Sequence, residues 1–173
     1  MNASCRKIKQ QGGSFALISL DLDNFRHIND TLGHKIGDAV LVAIARRLSD
    51  SLTPQDMLVR VAGDQFVVMM PSASANEIIQ HARQLLSTAA APLQIEHYVL
   101  LLTASIGVVW SPQNGAESRL LLQNAEIAMY RSKYRGRNQV TCFDDNMRTE
   151  LERQTGLTQA LRLALESKRD LRL

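Results

Sequence analysis

Two acidic stretches set the chemistry this chain could do. Asp21 and Asp23 close the run Phe15-Ala16-Leu17-Ile18-Ser19-Leu20-Asp21-Leu22-Asp23, and Asp64 stands in Arg60-Val61-Ala62-Gly63-Asp64-Gln65-Phe66. A run this continuously apolar reads as a strand covered on both faces, so charges at its end need a cation or a partner. Gly63-Asp64, set between the apolar Met57, Leu58, Val59 and Val61 and the run Phe66-Val67-Val68-Met69-Met70, reads as a β-hairpin whose turn carries a carboxylate. If that hairpin pairs beside the first strand, Asp21, Asp64 and the backbone carbonyl of Leu22 offer oxygen ligands for one or two magnesium ions. Magnesium takes few carboxylates and leaves room for substrate phosphates, so a nucleotide would complete the site. The plain alternative is that each aspartate is a turn or cap residue.

Further polar residues suit the rest of such a ligand. Guanine presents N1–H and N2–H₂ donors side by side, and one carboxylate accepts both, which adenine does not permit. Asp38 could serve there and Asn29 could reach another guanine edge, although Asp38 also reads as the N-cap of a helix. Arg26 lies one turn beyond the first acidic stretch, where a cation could reach phosphate oxygens. Lys133 and Arg137 are four apart at the end of a helical pattern, which fits either phosphate contact or a favourable interaction with the helix dipole. His27, His34, His81 and His97 show no zinc spacing, and the aromatic residues are too scattered for a base-stacking platform, so no nucleic-acid partner is expected.

The elements that must position these residues follow from periodicity and breakers. A strand over 15–22 precedes a helix over 24–32 ending at Gly33, and a second helix is predicted to open at Asp38 with Val40, Leu41, Ile44, Leu48 and Leu52 inward. The hairpin follows and stops at Pro71. A third helix, capped by Ser74 or Asn76, runs to about Ala90. Residues 93–95 and 98–105 read as a hairpin turning at Glu96-His97, continuing through 106–110 after an irregularity at Gly107. A fourth helix covers 117–134 and closes at Gly136, a short strand covers 139–143, and residues 146–168 are helical. Hairpins mixed with helices predict an α+β sandwich, a central mostly antiparallel sheet flanked by helices, because the central strands are joined too tightly for a parallel crossover.

Composition narrows the classes. The 173 residues are 45% hydrophobic and 21% charged, with a net charge of +3, which is globular and excludes disordered or fibrous chains. Cys5 and Cys142 have no ligand or disulfide pattern, and no apolar run reaches the roughly 20 residues of a membrane span. A cytoplasmic domain without membrane contact of its own is expected, with any anchor lying elsewhere in a longer protein. Residues 1–13 read as a linker.

Five ordered segments carry a family resemblance: Leu20-Asp21-Leu22-Asp23-Asn24-Phe25-Arg26; Ile28-Asn29-Asp30 with Gly33-His34 and Gly37-Asp38; residues 60–66; Thr103-Ala104-Ser105-Ile106-Gly107; and Ala125 to Asn138, ending Lys133-Tyr134-Arg135-Gly136-Arg137-Asn138. On these the chain resembles the GGDEF domains, the diguanylate cyclase family of bacterial cyclic-di-GMP signalling, over residues 14–144. The resemblance implies the fold of nucleotidyl cyclases and polymerase palms. It implies GTP as ligand and Mg²⁺ (or Mn²⁺) as cofactor, with the metal held by Asp21, the Leu22 carbonyl and Asp64. Asn29 and Asp38 would hold guanine, Lys133 and Arg137 the phosphates, and Ala62 and Gly63 the backbone that approaches the nucleotide. Asp64, Arg26 and the residue at position 65 would belong to the catalytic set. Turnover would need a homodimer, since each 3′-hydroxyl attacks the α-phosphorus of the opposite GTP.

The chain departs from the family in its signature. Where members read Gly-Gly-Asp/Glu-Glu-Phe, it reads Ala62-Gly63-Asp64-Gln65-Phe66, so the second carboxylate, a metal ligand or base in the family, is a neutral amide. The usual lysine after the first motif is Arg26, and the inhibitory Arg-x-x-Asp site reads Thr53-Pro54-Gln55-Asp56, without its arginine. Residues 145–173 resemble the helix leading into an EAL phosphodiesterase domain. The expectation is a degenerate GGDEF domain that binds GTP with magnesium and regulates an adjoining EAL domain, with little or no cyclase activity. The alternatives are a weakly active cyclase and a protein-interaction module that has lost its nucleotide.

Overall fold

The computed structural model describes residues 14–71 and 74–153. The chain divides into two units, Met1–Phe143 and Asp144–Leu173. The expected linker over 1–13 and the part of the expected tail helix beyond residue 153 lie outside the described residues. In the second unit the helix runs from residue 145 through the last described residue, and Asp144 Oδ1 accepts from the Asn146 amide at 2.8 Å at its start.

The first unit is built on β1 (Phe15–Leu22), whose eight residues are all buried. Full burial follows from its place in the five-stranded order β2-β3-β1-β6-β7, where β2 is Met57–Ala62, β3 Gln65–Pro71, β6 Ala104–Ser111 and β7 Gln139–Cys142. Both neighbours of β1 run antiparallel to it, from Phe15 opposite Pro71 and Ser111 to Asp21 opposite Gln65 and Ser105. The β6–β7 pair alone is parallel, as a crossover through a helix requires. Strands β4 (Leu93–Ile95) and β5 (Tyr98–Leu100) form a separate two-stranded ribbon.

One face of the sheet is covered by α1 (Phe25–Leu32), α2 (His34–Asp50) and α3 (Ala75–Ala90). Their inward residues Val40, Ile44, Leu48, Ile78, Ala82 and Leu85 join Ile18, Leu20, Phe66, Val68, Ile106 and Val108 in one core. The period-2 alternation along the strands supplies half of this core and the 3.6-residue stripe of each helix the other half. Arg47 on α2 ties the layer together by donating to the carbonyls of Ala91 at 2.6 Å and Pro92 at 2.9 Å, just past the end of α3. That cation serves carbonyls the helix cannot bond internally. Ser74 caps α3 with a reciprocal capping box to Glu77, which settles the choice between Ser74 and Asn76.

The other face carries α4 (Ser118–Tyr134), packed along β1, β6 and β7. Its approach depends on Gly107, where an added Cβ would strike the backbone of Ala125 and Met129. Gly107 is therefore a close-approach glycine inside an unbroken strand, paired with Ser19 and Thr141, and the expected irregularity there is absent. Two further expectations are corrected. The second helix opens at His34 with Gly33 as its N-cap, so Asp38 lies inside the helix and is not its cap. Residues 98–105 are not one strand, because Leu101, Leu102 and Thr103 leave the ladder and Thr103 is taken up by Asp23.

Gly107→Ala would force α4 outward against backbone that cannot yield as a flexible side chain does. The expected cost is about 2–3 kcal/mol of unfolding free energy, read as a lower urea midpoint with an unchanged slope.

Candidate functional site

The strand registers bring the two acidic stretches together. Asp21, the last residue but one of β1, lies directly opposite Gln65, and the Leu22 amide donates to the Asp64 carbonyl at 3.3 Å, which docks the hairpin tip on the end of β1. The tip itself is Gly63-Asp64, with Ala62 paired to Gln65 across it and a register shift between Arg60 and Ala62. Gly63 takes φ 52, which the turn requires and a side chain would oppose, whereas Ala62 is not among the residues at positive φ. Arg60 Nε donates to the Gly63 carbonyl at 2.8 Å and braces the turn, a contact the sequence offered no signal for.

Asp21 is 9% exposed, and its Oδ1 is buried. Its close neighbour is a cation, Lys133 Nζ at 2.6 Å, from the last turn of α4. Burial pushes the Asp21 carboxyl above its ordinary range; the Lys133 ammonium works against that rise, and the nearby charges of Asp64 and Asp23 add to it. A buried acceptor with a net cost of ionisation, beside a second carboxylate, suits a divalent ion. Among the described residues no three His, Cys, Asp or Glu side chains gather as a complete metal cage. Asp21, Asp64 and the Leu22 carbonyl are oxygen donors of the kind magnesium takes, and they could hold it only with further ligands from elsewhere.

Gln65 is half-buried, not solvent-facing as a hairpin position suggests. Its Nε2 donates to Ser19 Oγ at 3.1 Å, and that fully buried hydroxyl donates to Met129 Sδ at 3.4 Å. The amide is therefore held along the face of the sheet beneath α4, beside Asp21.

The remaining candidates divide. Asn29 on α1 and Asp38 on α2 are brought to one place, because Gly37 has no Cβ and the Asn29 Oδ1 lies where one would be. Asp38 itself is exposed and open to a ligand. Lys133 pairs with Asp21, and Arg137 follows in the turn after α4, exposed at φ 63. Arg26 is not brought to Asp21; its side chain is 92% exposed and its Nε lies 3.6 Å from Asp30 on the same helix. Of the two outcomes expected for the charges ending the first strand, a cation or a partner, Asp23 takes the second. It is 4% exposed and accepts from Thr103 Oγ1 at 2.7 Å, Ser105 Oγ at 2.7 Å and the Asn138 amide at 3.1 Å. Among the described residues no helix is long and apolar enough to cross a membrane.

Comparison with known proteins agrees with this geometry. Residues 1–139 match the family described as diguanylate cyclase, GGDEF domain. The chain is 34% identical over 152 residues to the bifunctional diguanylate cyclase/cyclic di-GMP phosphodiesterase MucR of Pseudomonas aeruginosa, covering 88% of this chain and 22% of that protein. It is 31% identical to the cyclic di-GMP phosphodiesterase PdeR of Escherichia coli, covering 87% of this chain and 23% of the other. The solved GGDEF domain of TpbB (YfiN) from Pseudomonas aeruginosa superposes with a TM-score of 0.81 at 30% identity, covering 86% of this chain and 88% of that one. The chain spans about a fifth of the length of these curated relatives. A central strand carrying Asp21 near its end, a hairpin tip bearing Asp64 and a helix returning Lys133 to Asp21 are the parts of one fold, and the chain belongs to the diguanylate cyclase GGDEF domain family.

Proposed function

We propose that this GGDEF domain binds GTP with magnesium and acts as a regulator of an adjoining phosphodiesterase domain, with little or no cyclase activity of its own. The observation that carries this reading is Gln65: beside Asp21 stands an amide bonded to Ser19, where turnover would call for a carboxylate. An amide takes up no proton and is a weak magnesium ligand. The names of relatives support the regulatory half, since NbdA of Pseudomonas aeruginosa and PdeR of Escherichia coli are cyclic di-GMP phosphodiesterases containing a matching segment.

In this reading Asp38 accepts from the guanine N1–H and N2–H₂ while Asn29, lying over Gly37, meets a second edge of the base. Lys133 and Arg137 meet the phosphates, and Gly63 with Ala62 lets the backbone approach them. Asp21, Asp64 and the Leu22 carbonyl hold a magnesium or manganese ion, which supplies charge neutralisation for the triphosphate. Lys133 is then shared between Asp21 and phosphate oxygens, so its present ion pair keeps the carboxylate compensated until ligand arrives. Arg26, exposed on α1, is left to the catalytic encounter of two domains, which a regulator does not require.

Calorimetry tests the ligand. GTP with magnesium should bind and ATP should bind more weakly, and Asp38→Ala should cost about ten- to a hundred-fold in GTP affinity. Equal binding of ATP and GTP, or indifference to Asp38→Ala, overturns the guanine assignment.

Gln65→Glu tests the silence. The carboxylate can accept from the Ser19 hydroxyl, so the fold should hold while cyclic-di-GMP synthesis rises by about 10² or more at high protein concentration. Robust synthesis by the unaltered chain would remove the regulatory reading in favour of the cyclase.

Asp21 tests the metal site through stability. Because its folded-state carboxyl titrates above the ordinary 3.8, the folded chain binds that proton more tightly than the unfolded chain, and ionising it costs stability. The cost is absent below about 3.8, grows as pH rises toward the folded-state value and is complete above it. In metal-free buffer Asp21→Asn should therefore raise Tm at neutral pH, the gain vanishing as pH falls, while any magnesium-induced rise in Tm is lost. A lower Tm at neutral pH would show that the Lys133 pair outweighs desolvation.

A further inference from the structure

The site so far leaves one buried charge unused. Asp23 lies just beyond β1, 4% exposed, and its carboxylate joins three separate parts of the chain. It accepts from the hydroxyls of Thr103 and Ser105 at the start of β6 and from the Asn138 amide in the turn between α4 and β7. Its own amide donates to the Thr103 carbonyl at 2.8 Å. A carboxylate offers only acceptors, and two of the donors it receives, Thr103 and the Asn138 amide, come from residues outside the strand ladders, while Ser105 is already fixed in β6.

The turn it holds is not one the backbone prefers. Gly136, Arg137 and Asn138 follow one another at φ 113, 63 and 46. Two successive non-glycine residues in the left-handed region persist only where the surroundings over-determine them. Two hydrogen bonds do so here: Arg137 N donates to Ser132 O at 3.0 Å, and Asn138 N donates to Asp23 Oδ2 at 3.1 Å. The first is local to the helix end. The second ties the turn to the strand that also carries Asp21.

We propose that Asp23 is a positioning residue: its carboxylate clamps the Gly136-Arg137-Asn138 turn to the end of β1, and so aims Arg137 and Lys133 at the phosphates of a bound nucleotide. This rests on the GTP reading above for its ligand, while the clamp itself is independent of it. The donors dictate which substitutions keep the clamp. In Asp23→Asn the remaining oxygen can serve Thr103 and Asn138 as Oδ2 does now, and the new amide can face Ser105, whose hydroxyl turns to accept. Asp23→Ala leaves the Asn138 amide without its acceptor, so the φ 46 of Asn138 is held only through its neighbours, Arg137 bonded to Ser132 and Gln139 in β7.

Two measurements on the isotope-labelled 173-residue chain decide it. In amide hydrogen exchange, Asp23→Ala should speed exchange of Asn138 by about ten-fold or more while the β1 and β3 amides keep their wild-type rates, and Asp23→Asn should stay near wild type. In titrations with GTP–magnesium and with guanosine, Asp23→Ala should weaken GTP by about ten-fold and leave guanosine unchanged, with Asp23→Asn again near wild type. Should Asp23→Ala not fold, Asp23→Ser replaces it, leaving a hydroxyl for Thr103 and Ser105 but withdrawing the acceptor from Asn138. Uniform acceleration of exchange, or equal losses for GTP and guanosine, would reduce Asp23 to a general stabiliser and overturn the proposal. A wild-type chain that binds no GTP, yet shows the local exchange effect, sinks the nucleotide reading and the aiming role with it, and leaves the clamp standing.

Discussion

Two carboxylates set two residues apart at the end of a fully buried strand cannot both stay charged unless the surroundings bring cations or donors to them, because desolvating either ion is costly. The end of β1 answers that constraint twice, and in opposite ways. Asp23 receives two hydroxyls and an amide and becomes a fixed joint. Asp21 receives one ammonium, Lys133 Nζ 2.6 Å from its buried Oδ1, where Asp23 receives three donors. The satisfied carboxylate holds the architecture; the under-satisfied one retains capacity for a ligand. The hairpin tip, the break at residues 101–103 and the turn after α4 all take their places around this pair.

The second determinant is how near α4 can lie to the sheet. Gly107 lets helix backbone rest on strand backbone, and Ser132 reaches across to donate to the Ile106 carbonyl at 2.8 Å. Those contacts bring the helix's last turn to the end of β1, within reach of Asp21. A bulkier residue in the middle of β6 would displace the site's cation without touching any site residue. The same logic recurs at Gly37, whose missing side chain is the space Asn29 occupies beside Asp38.

Much of this was legible in the sequence, for physical reasons that differ by element. The continuous apolar run of β1 and the Gly-Asp turn before Phe66 announce a central strand and a hairpin, and only one pairing brings Asp64 beside Asp21. What sequence periodicity could not show was tertiary use of polar groups. Thr103 sits in a run that alternates well enough to look like strand, yet its hydroxyl and carbonyl are both claimed by Asp23. Asp38 resembles a helix cap because it follows glycine, but the helix begins four residues earlier at His34. Lys133 would satisfy a helix dipole at its position, and only packing revealed that a buried carboxylate competes for it. Gln65 is readable as a missing charge, whereas its bond to Ser19 required the register.

The parallel pairing of β7 with β6 has a mechanical meaning. An edge strand of four residues, Gln139–Cys142, connects the Asn138 joint at one end to Phe143 and the second unit at the other. Tension along the chain beyond Phe143 runs lengthwise through β7, loading its few ladder bonds in shear, and arrives at the backbone amide that Asp23 holds. The strand behaves as a short tie-rod.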